Sequence, residues 1–465
     1  MKQKSLLLLA LSLVLLQSCL GAPKVTESAP NGQTATPPTE ALPSSTPQPT
    51  PLPSHIVQLR VAYILAGNVW VWDASTGARQ LTSDGDAWRA KISDDGQVIV
   101  FQTLGNINSE SSSENAGDTL WAVNADGSDS RILVNIPRYA TFLQMNHQVN
   151  YFFTDLYQFE IQPNSHWVYF TTAWDADQGQ MPSDDLHKVD ADHPTPEPLL
   201  SRSCGEISFS PDGTLISLAS IGDIDVVNSD GVGLTLVPDG ASSWPVVSFN
   251  LRFTNQQTYH PQVVWLSNGT GIYAVLPFRN DSCSQYLGSG DLAPDETGKR
   301  FCLAYIASDG SAFAQLAEFS AEWTETGQPL ISPDGTKVAY VVKNNSTYEL
   351  HVIDAATIDT VIASYENPPM FELYGWSPDS KRVVFFISDR LFPFAAGIGL
   401  PPAPLTESAA PYSLRWLDAE RFLFFREGRL LVGQVGSSAT FEIAAGFDKL
   451  MDNFNFYDFV LLPSP

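Results

Sequence analysis

The sequence has few cysteines and few basic residues. It contains four cysteines in 465 residues, and none of them forms a CxxC pair, so neither a zinc ribbon nor a thioredoxin-type redox site is predicted. Lysine and arginine number 25 against 51 acidic residues, which gives a formal net charge of −26. Phosphate backbones repel a chain of this charge, so we do not expect a nucleic-acid partner.

The usual signatures of catalysis are also missing. The sequence has no GxSxG nucleophile elbow, and its seven histidines show no i,i+4 metal-ligand spacing, so a serine hydrolase and a zinc peptidase are not predicted. We therefore predict no catalytic residue, no metal and no cofactor. The sequence favours a non-enzymatic protein.

The N-terminus resembles an export signal. Lys2 and Lys4 precede an uncharged apolar run from Leu6 to Leu16, which is too short to span a bilayer but suits a signal peptide. The residues Leu16-Gln17-Ser18-Cys19 resemble the bacterial lipobox. This resemblance implies that residues 1–18 are a signal peptide, that Cys19 carries lipid, and that the exported protein is held on the extracytoplasmic side of a cell-envelope membrane. An ordinary signal peptide with a chance cysteine is the alternative.

The segment that follows differs in composition from the rest of the chain. Residues 21–54 contain nine prolines together with many serines and threonines, a composition that cannot bury enough apolar surface to fold. We predict a disordered linker over residues 19–54 and a folded domain over residues 55–465.

One pattern recurs along the folded domain: an apolar or aromatic residue, then Ser-Pro-Asp-Gly or a variant, then an alternating apolar strand. Proline presets φ in such a turn, aspartate can bond its own backbone, and glycine accepts positive φ, so each copy predicts a hairpin. A second turn of the Asp-Gly type usually follows, so each unit reads as four short strands. The copies start at Ile92, Ile161, Ile207, Trp265, Ile331, Trp376 and Trp416.

These repeats resemble the TolB-type, WD-like propeller family, whose hallmark is the aromatic-SPDG-strand core. The resemblance implies an all-β fold, a single β-propeller of four-stranded blades. Residues 59–82 supply three strands and residues 453–462 supply one. We therefore expect the N- and C-terminal strands to pair, which closes the ring and gives eight blades. Seven blades are the alternative if residues 260–320 are an insertion.

The long connections are expected on one face, opposite the short turns. They are predicted at 103–117, 135–157, 173–184, 238–260, 280–300 and 389–404. Loops on a rigid scaffold often carry recognition, and aromatic rings with carboxylates suit sugars or basic peptides. The candidate binding residues are Tyr139, Trp174, Trp244, Tyr259, Tyr286, Asp175, Asp177 and Asp281.

Cys283 and Cys302 bracket one predicted loop, and an exported compartment permits a disulfide between them. Free thiols are an equal alternative.

The leading hypothesis is a lipid-anchored, monomeric propeller that binds an unknown protein or glycan ligand without catalysis. A carbohydrate-active hydrolase or lyase with carboxylates on the loop-rich face is one alternative. A structural partner in a TolB-like envelope assembly is another.

Overall fold

The computed structural model describes residues 56–104, 118–147, 155–176, 179–182, 185–201, 206–219, 223–228, 245–248, 261–277, 283, 300–322, 327–368, 370–387, 393–405, 412–447 and 456–463. The structural statements below concern these residues. They form eight antiparallel sheets, which we number in chain order.

The first four sheets are built as follows. Sheet 1 contains β1 (Leu59–Leu65), β2 (Asn68–Asp73) and β3 (Gly77–Gln80), with β33 (Tyr457–Leu461) from the other end of the chain. Sheet 2 contains β4 (Ala87–Ile92), β5 (Val98–Thr103), β6 (Thr119–Asn124) and β7 (Arg131–Asn135). Sheet 3 contains β8 (Asp155–Ile161), β9 (Trp167–Ala176), β10 (Gly179–Pro182), β11 (Asp185–Asp190) and β12 (Glu197–Ser201). Sheet 4 contains β13 (Glu206–Phe209), β14 (Leu215–Ala219), β15 (Asp223–Asn228) and β16 (Pro245–Ser248).

The second four sheets repeat this arrangement. Sheet 5 contains β17 (Val263–Trp265), β18 (Gly271–Pro277), β19 (Arg300–Ala307) and β20 (Phe313–Ser320). Sheet 6 contains β21 (Leu330–Ile331), β22 (Lys337–Asn344), β23 (Thr347–Asp354) and β24 (Asp359–Glu366). Sheet 7 contains β25 (Phe371–Trp376), β26 (Val383–Ile387), β27 (Phe394–Gly397) and β28 (Leu400–Pro404). Sheet 8 contains β29 (Tyr412–Trp416), β30 (Arg421–Arg426), β31 (Arg429–Gln434) and β32 (Phe441–Ala445).

Consecutive strands pair in order within the sheets except in sheet 3, where β9 pairs with β8, β10 and β11, and β33 pairs with β1 over Leu59–Tyr63. Repeated sheets of four consecutive antiparallel strands are the strand organisation of β-propeller blades. The chain therefore has the propeller-type, nearly all-β fold that the repeats predict. Residues 260–320, which the seven-blade alternative treats as an insertion, contribute the complete sheet 5.

The first turn of a sheet is held by one serine and one aspartate. In Ser332-Pro333-Asp334-Gly335, Ser332 Oγ donates to Asp334 Oδ1 at 2.6 Å and accepts the Lys337 N–H at 3.0 Å. The hydrogen bonds that lower the pKa of Asp334 to about 2 outweigh the opposing effect of its partial burial. The serines at 93, 210 and 377 make the same pair of hydrogen bonds.

Neighbouring sheets contact each other along their first strands. Trp265 Nε1 donates to Ser208 O of the preceding sheet at 3.1 Å, and Trp376 Nε1 donates to Leu330 O at 2.9 Å. On the turn side, a Cβ added at Gly335 would stand 2.0 Å from Cδ2 of Tyr273 in sheet 5. Since Gly335 also has a φ of +71°, this turn position accepts only glycine without rearrangement.

Four of the predicted loops contain regular structure, and residues 238–260 contribute β16. Residues 135–157 include the helix α1 (Ile136–His147), which begins with Pro137 in its first turn and with the Asn135 side chain accepting the Arg138 N–H at 3.2 Å. Residues 173–184 include the β9–β10 hairpin, and residues 389–404 include β27 and β28. The prolines of β28 suggest a loop in sequence, but they are tolerated because β28 is the edge strand of its sheet.

The described part of the chain contains no helix long and apolar enough to cross a membrane.

We predict that Ser332→Ala destabilises the protein by about 1–3 kcal/mol, because it removes the bond to Asp334 and leaves the Lys337 N–H without its acceptor. Chemical denaturation monitored by fluorescence measures the change. Ser438→Ala is the matched control, since Ser438 is exposed. Equal stability of the two variants would contradict the role assigned to this serine.

Candidate functional site

A cavity of about 440 Å³ lies where the first strands of several sheets meet. Its walls come from sheets 3, 4, 5 and 6, either from the first strand itself or from the residues that lead into it. The lining residues are Tyr157, Glu206, Gln262, Gln328, Pro329 and Leu330.

A second cavity of about 250 Å³ shares Glu206 with the first. It is lined by residues of the first strands of sheets 2, 3 and 4: Arg89, Ala90, Lys91, Gln158, Phe159, Glu160, Glu206 and Ile207. Because the two spaces share a wall, we treat them as one site and call it the first-strand cavity.

Strand alternation explains why polar side chains line this site. Arg89 and Lys91 flank Ala90 in β4, and Ala90 is buried. Gln158 and Glu160 flank Phe159 in β8, and Phe159 is also buried. Successive side chains of a strand point in opposite directions, so β4 and β8 turn these polar residues away from the side on which Ala90 and Phe159 are buried.

The charges of sheets 2 and 3 are paired in the cavity. Lys91 Nζ lies 2.6 Å from both Glu160 Oε1 and Glu160 Oε2. Burial among protein groups raises the pKa of Glu160 above its ordinary value, although the Lys91 charge opposes the shift. Water still reaches 33% of the Glu160 side chain, as expected for a group enclosed in a narrow space. The pair leaves little net charge on this wall.

A second ion pair joins sheets 8, 1 and 2. Arg415 Nη1 lies 2.9 Å from Asp458 Oδ1, and the Ile92 N–H donates to Asp458 Oδ2 at 3.1 Å. The Arg415 guanidinium also lies 5.2 Å from the centre of the Tyr457 ring. These contacts connect the C-terminal strand to the first strands on both sides of it.

Arg89 is held against the neighbouring sheet. Its Nη1 donates to Tyr157 O at 2.8 Å, while its buried Nε has no hydrogen-bond partner in the part of the chain that the structure describes. Burial lowers the pKa of Arg89, and the Asp118 carboxylate opposes this effect. Arg89 stays charged because even a lowered arginine pKa lies far above neutrality.

Glu206 and Gln262 keep polar atoms available for a ligand. Glu206 is exposed, and its carboxylate makes no hydrogen bond or ion pair to the described residues. Gln262 uses its Oε1 to accept the Ile331 N–H at 2.7 Å. The site therefore offers a free carboxylate, amide groups and the Tyr157 ring, a set that suits a polar uncharged ligand.

Within the described ranges, no group of three or more His, Cys, Asp or Glu residues is arranged to hold a metal ion.

The sequence predicts that Tyr139 lies in an exposed loop, but the structure does not place it there. It belongs to α1 and is 5% exposed, its hydroxyl lies 3.1 Å from His187 Nδ1, and its ring packs edge-on against Phe170. The sequence-based position of this residue is therefore wrong, because α1 buries it in the core beside sheet 3.

The other predicted binding residues are not gathered into the cavity by the described structure. Trp174 and Asp175 lie in β9, where they pair with Met181 and Gln180 of β10. Asp177, Trp244, Tyr259, Asp281 and Tyr286 lie outside the described residues, as does Cys19. The structure joins Cys283 and Cys302 in a disulfide, with their Cα atoms 6.2 Å apart.

The sequence does not point to the cavity residues, because its clearest patterns mark turns and loops. A positional signal was nevertheless present. Glu206, Gln262 and Gln328 each stand four residues before the residue that opens the first turn, and Arg89 stands four before Ser93. Counting back from each turn to the polar residue of the first strand would have found this set.

No protein-family model matches the chain, and no curated protein matches it. Among solved structures, TolB from Acinetobacter baumannii is 13% identical with a TM-score of 0.29, over 65% of this chain and 62% of that one. An oligogalacturonate lyase from Vibrio parahaemolyticus is 12% identical with a TM-score of 0.41, over 71% and 83%. A eukaryotic initiation factor is 12% identical with a TM-score of 0.46, over 89% and 92%. These values assign neither an activity nor a ligand to this chain.

Proposed function

We propose that this protein is a lipid-anchored, non-enzymatic propeller that binds a neutral glycan of a few sugar units in the first-strand cavity. The observation that carries the proposal is the cavity itself, about 440 Å³ in its larger part, where the polar uncharged residues Tyr157, Gln262 and Gln328 lie beside Glu206, Pro329 and Leu330. A volume of this order lies within the usual range of about 300–1,000 Å³ for small-molecule sites.

The proposal includes a closed ring of eight blades, in which the first-strand cavity is part of the central channel. Three features support it: the eight sheets, the pairing of β33 with β1, and the contacts of Asp458 to both Arg415 and Ile92. The pairing of β33 with β1 also completes sheet 1 with a fourth strand and covers the edge of β1, and open edges invite aggregation.

The charge of the site favours a neutral ligand. In the smaller part of the cavity Lys91 and Glu160 form an ion pair, and the formal charges of Arg89 and Glu206 balance each other. The chain also carries a net charge of −26, which repels polyanions. Sugar hydroxyls both donate and accept hydrogen bonds, so they match a wall of amides and carboxylates. The Tyr157 ring adds an apolar surface for the face of a sugar ring.

A carbohydrate-active enzyme is the second candidate, because Glu160 and Glu206 line the same cavity from neighbouring first strands. Hydrolysis of a glycosidic bond uses two carboxyl groups in different protonation states, and the pKa of Glu160 is raised. Binding remains the leading proposal because Lys91 occupies both oxygens of Glu160.

We expect Glu206→Gln to weaken glycan binding by about 10- to 100-fold, because a charged hydrogen-bond acceptor is lost. Isothermal titration with the tightest binder from an array of neutral oligosaccharides measures the effect. Glu442→Gln is the matched control, since Glu442 lies on the edge strand β32 and its ion-pair partner among the described residues is the exposed Arg429 of β31. Unchanged affinity would contradict the proposed site. If the wild-type protein cleaves the sugar and Glu206→Gln does not, the enzyme is favoured instead.

Removal of residues 456–465, which include β33, is expected to expose the edge of β1 and to cause aggregation and a lower melting temperature. Removal of residues 463–465 alone is the control, because it leaves β33 in place. Size-exclusion chromatography and thermal melts compare the two proteins. If the protein that lacks residues 456–465 is monomeric and as stable as the control, closure through β33 is contradicted.

Cys19→Ser is expected to move the protein from the membrane fraction to the soluble fraction, because the lipid attachment site is lost. Detergent phase partition of cell extracts measures the change, and Cys204→Ser is the matched control. Wild-type protein that partitions into the aqueous phase would rule out the anchor.

A further inference from the structure

The strand β8 has one residue more than the part of β9 that it pairs with. Leu156 lies opposite Thr172 and Gln158 lies opposite Thr171, so Tyr157 is an extra residue between two consecutive pairs. Such an insertion is a β-bulge, which interrupts the regular alternation of a strand and can turn a side chain to its other face.

The bulge decides on which side of β8 Tyr157 lies. In a regular strand, residues two apart point the same way, so Tyr157 would join Phe159 in the core shared by sheets 2 and 3. Instead, Leu156 is buried in that core together with Phe159, and Tyr157 lines the larger part of the first-strand cavity. The place of Tyr157 in the site therefore depends on the extra residue.

Sheet 2 holds the backbone at the bulge through two side chains. The Leu156 N–H donates to Asp118 Oδ2 at 2.8 Å, and the Tyr157 carbonyl oxygen accepts a hydrogen bond from Arg89 Nη1 at 2.8 Å. These two backbone groups belong to the residues at which the register shifts. The hydrogen bonds from sheet 2 consequently fix the conformation that turns Tyr157 toward the cavity.

Asp118 is itself firmly held. It directly precedes β6 and is 5% exposed, and its Oδ2 also accepts a hydrogen bond from Gln102 Nε2 at 2.7 Å. Its carbonyl oxygen accepts the Ile136 N–H at 3.0 Å. Arg89 lines the smaller part of the cavity, whereas Asp118 lines neither part. Asp118 can therefore act on a ligand in the cavity only through the residues that it holds.

We infer that Asp118 is a positioning residue of the ligand site, because it holds the β8 bulge that presents the Tyr157 ring to the sugar. This inference rests on the proposed function and deepens it by adding a buried residue of sheet 2 to the site. An aromatic face contributes to sugar binding by packing against the apolar face of the sugar ring. Without the bond to Asp118, the bulge is free to shift, and the ring loses its fixed place.

The first test removes the acceptor of the Leu156 N–H. We expect Asp118→Ala to weaken binding of the tightest neutral oligosaccharide from the array by about tenfold, measured by isothermal titration. Asp118→Asn should bind like the wild type, because both donors use one oxygen and an asparagine retains one. Asp126→Ala is the matched control, since Asp126 also accepts two hydrogen bonds, both from Ser128, in the exposed β6–β7 turn of the same sheet.

A double-mutant cycle distinguishes positioning of the ring from a general loss of stability. Tyr157→Ala removes the ring and is expected to weaken binding by about tenfold. If Asp118 acts through this ring, Asp118→Ala causes no further loss in the Tyr157→Ala protein, whereas independent effects multiply. Thermal melts check folding. If Asp118→Ala does not fold, Gln102→Leu with Asp118→Leu takes its place, since it exchanges both buried polar partners for apolar side chains of similar size.

The outcomes separate the two proposals. Wild-type protein that binds no member of the array overturns the proposed function and this inference together. Binding that Glu206→Gln weakens, but that Asp118→Ala leaves at full strength, overturns the inference and leaves the proposed function in place. The same holds if the losses in Asp118→Ala and Tyr157→Ala multiply, or if Tyr157→Ala binds like the wild type.

Discussion

The hydrogen bonds of the turn serine are the constraint on which the repeat depends. Ser332 Oγ and its equivalents bind the aspartate two residues later and the first N–H of the returning strand, so the hairpin between the first two strands has one geometry. That geometry fixes the register of the first strand, and hence which of its side chains face away from the core. The composition of the first-strand cavity follows from the turns.

The turns that lack the serine keep this geometry by other means. In sheet 5 the Asn268 side chain accepts the Thr270 N–H at 3.1 Å, and in sheet 3 Asn164 adopts the positive φ of 56° that glycine has elsewhere. The turn of sheet 7 keeps its serine, Ser377, but there Ser380 takes the place of the glycine with a φ of 57°. Asparagine tolerates this region better than most residues, which explains why the copies vary in sequence while the strands they join retain their places.

Basic side chains at and near the cavity join neighbouring sheets of this acidic chain. Lys91, Arg89 and Arg415 all come from first strands or contact them, and each meets an oxygen of a neighbouring sheet. These contacts hold adjacent sheets together, and Lys91 and Arg415 also neutralise carboxylates. Glu206 makes no ion pair with the described residues, and the proposed function uses it as a ligand contact for this reason.

The sequence by itself determined the repeat, the propeller-type strand order and the positions of most strands. The three strands predicted within residues 59–82 are present as β1, β2 and β3, because turn chemistry and period-two alternation are local properties. It did not determine α1, the strands within 389–404 or the burial of Tyr139, since these depend on packing partners distant in sequence. Only the tertiary structure decided the site. Glu206, Gln262 and Leu330 are ordinary residues in three separate repeats, and they line one cavity because neighbouring first strands lie side by side.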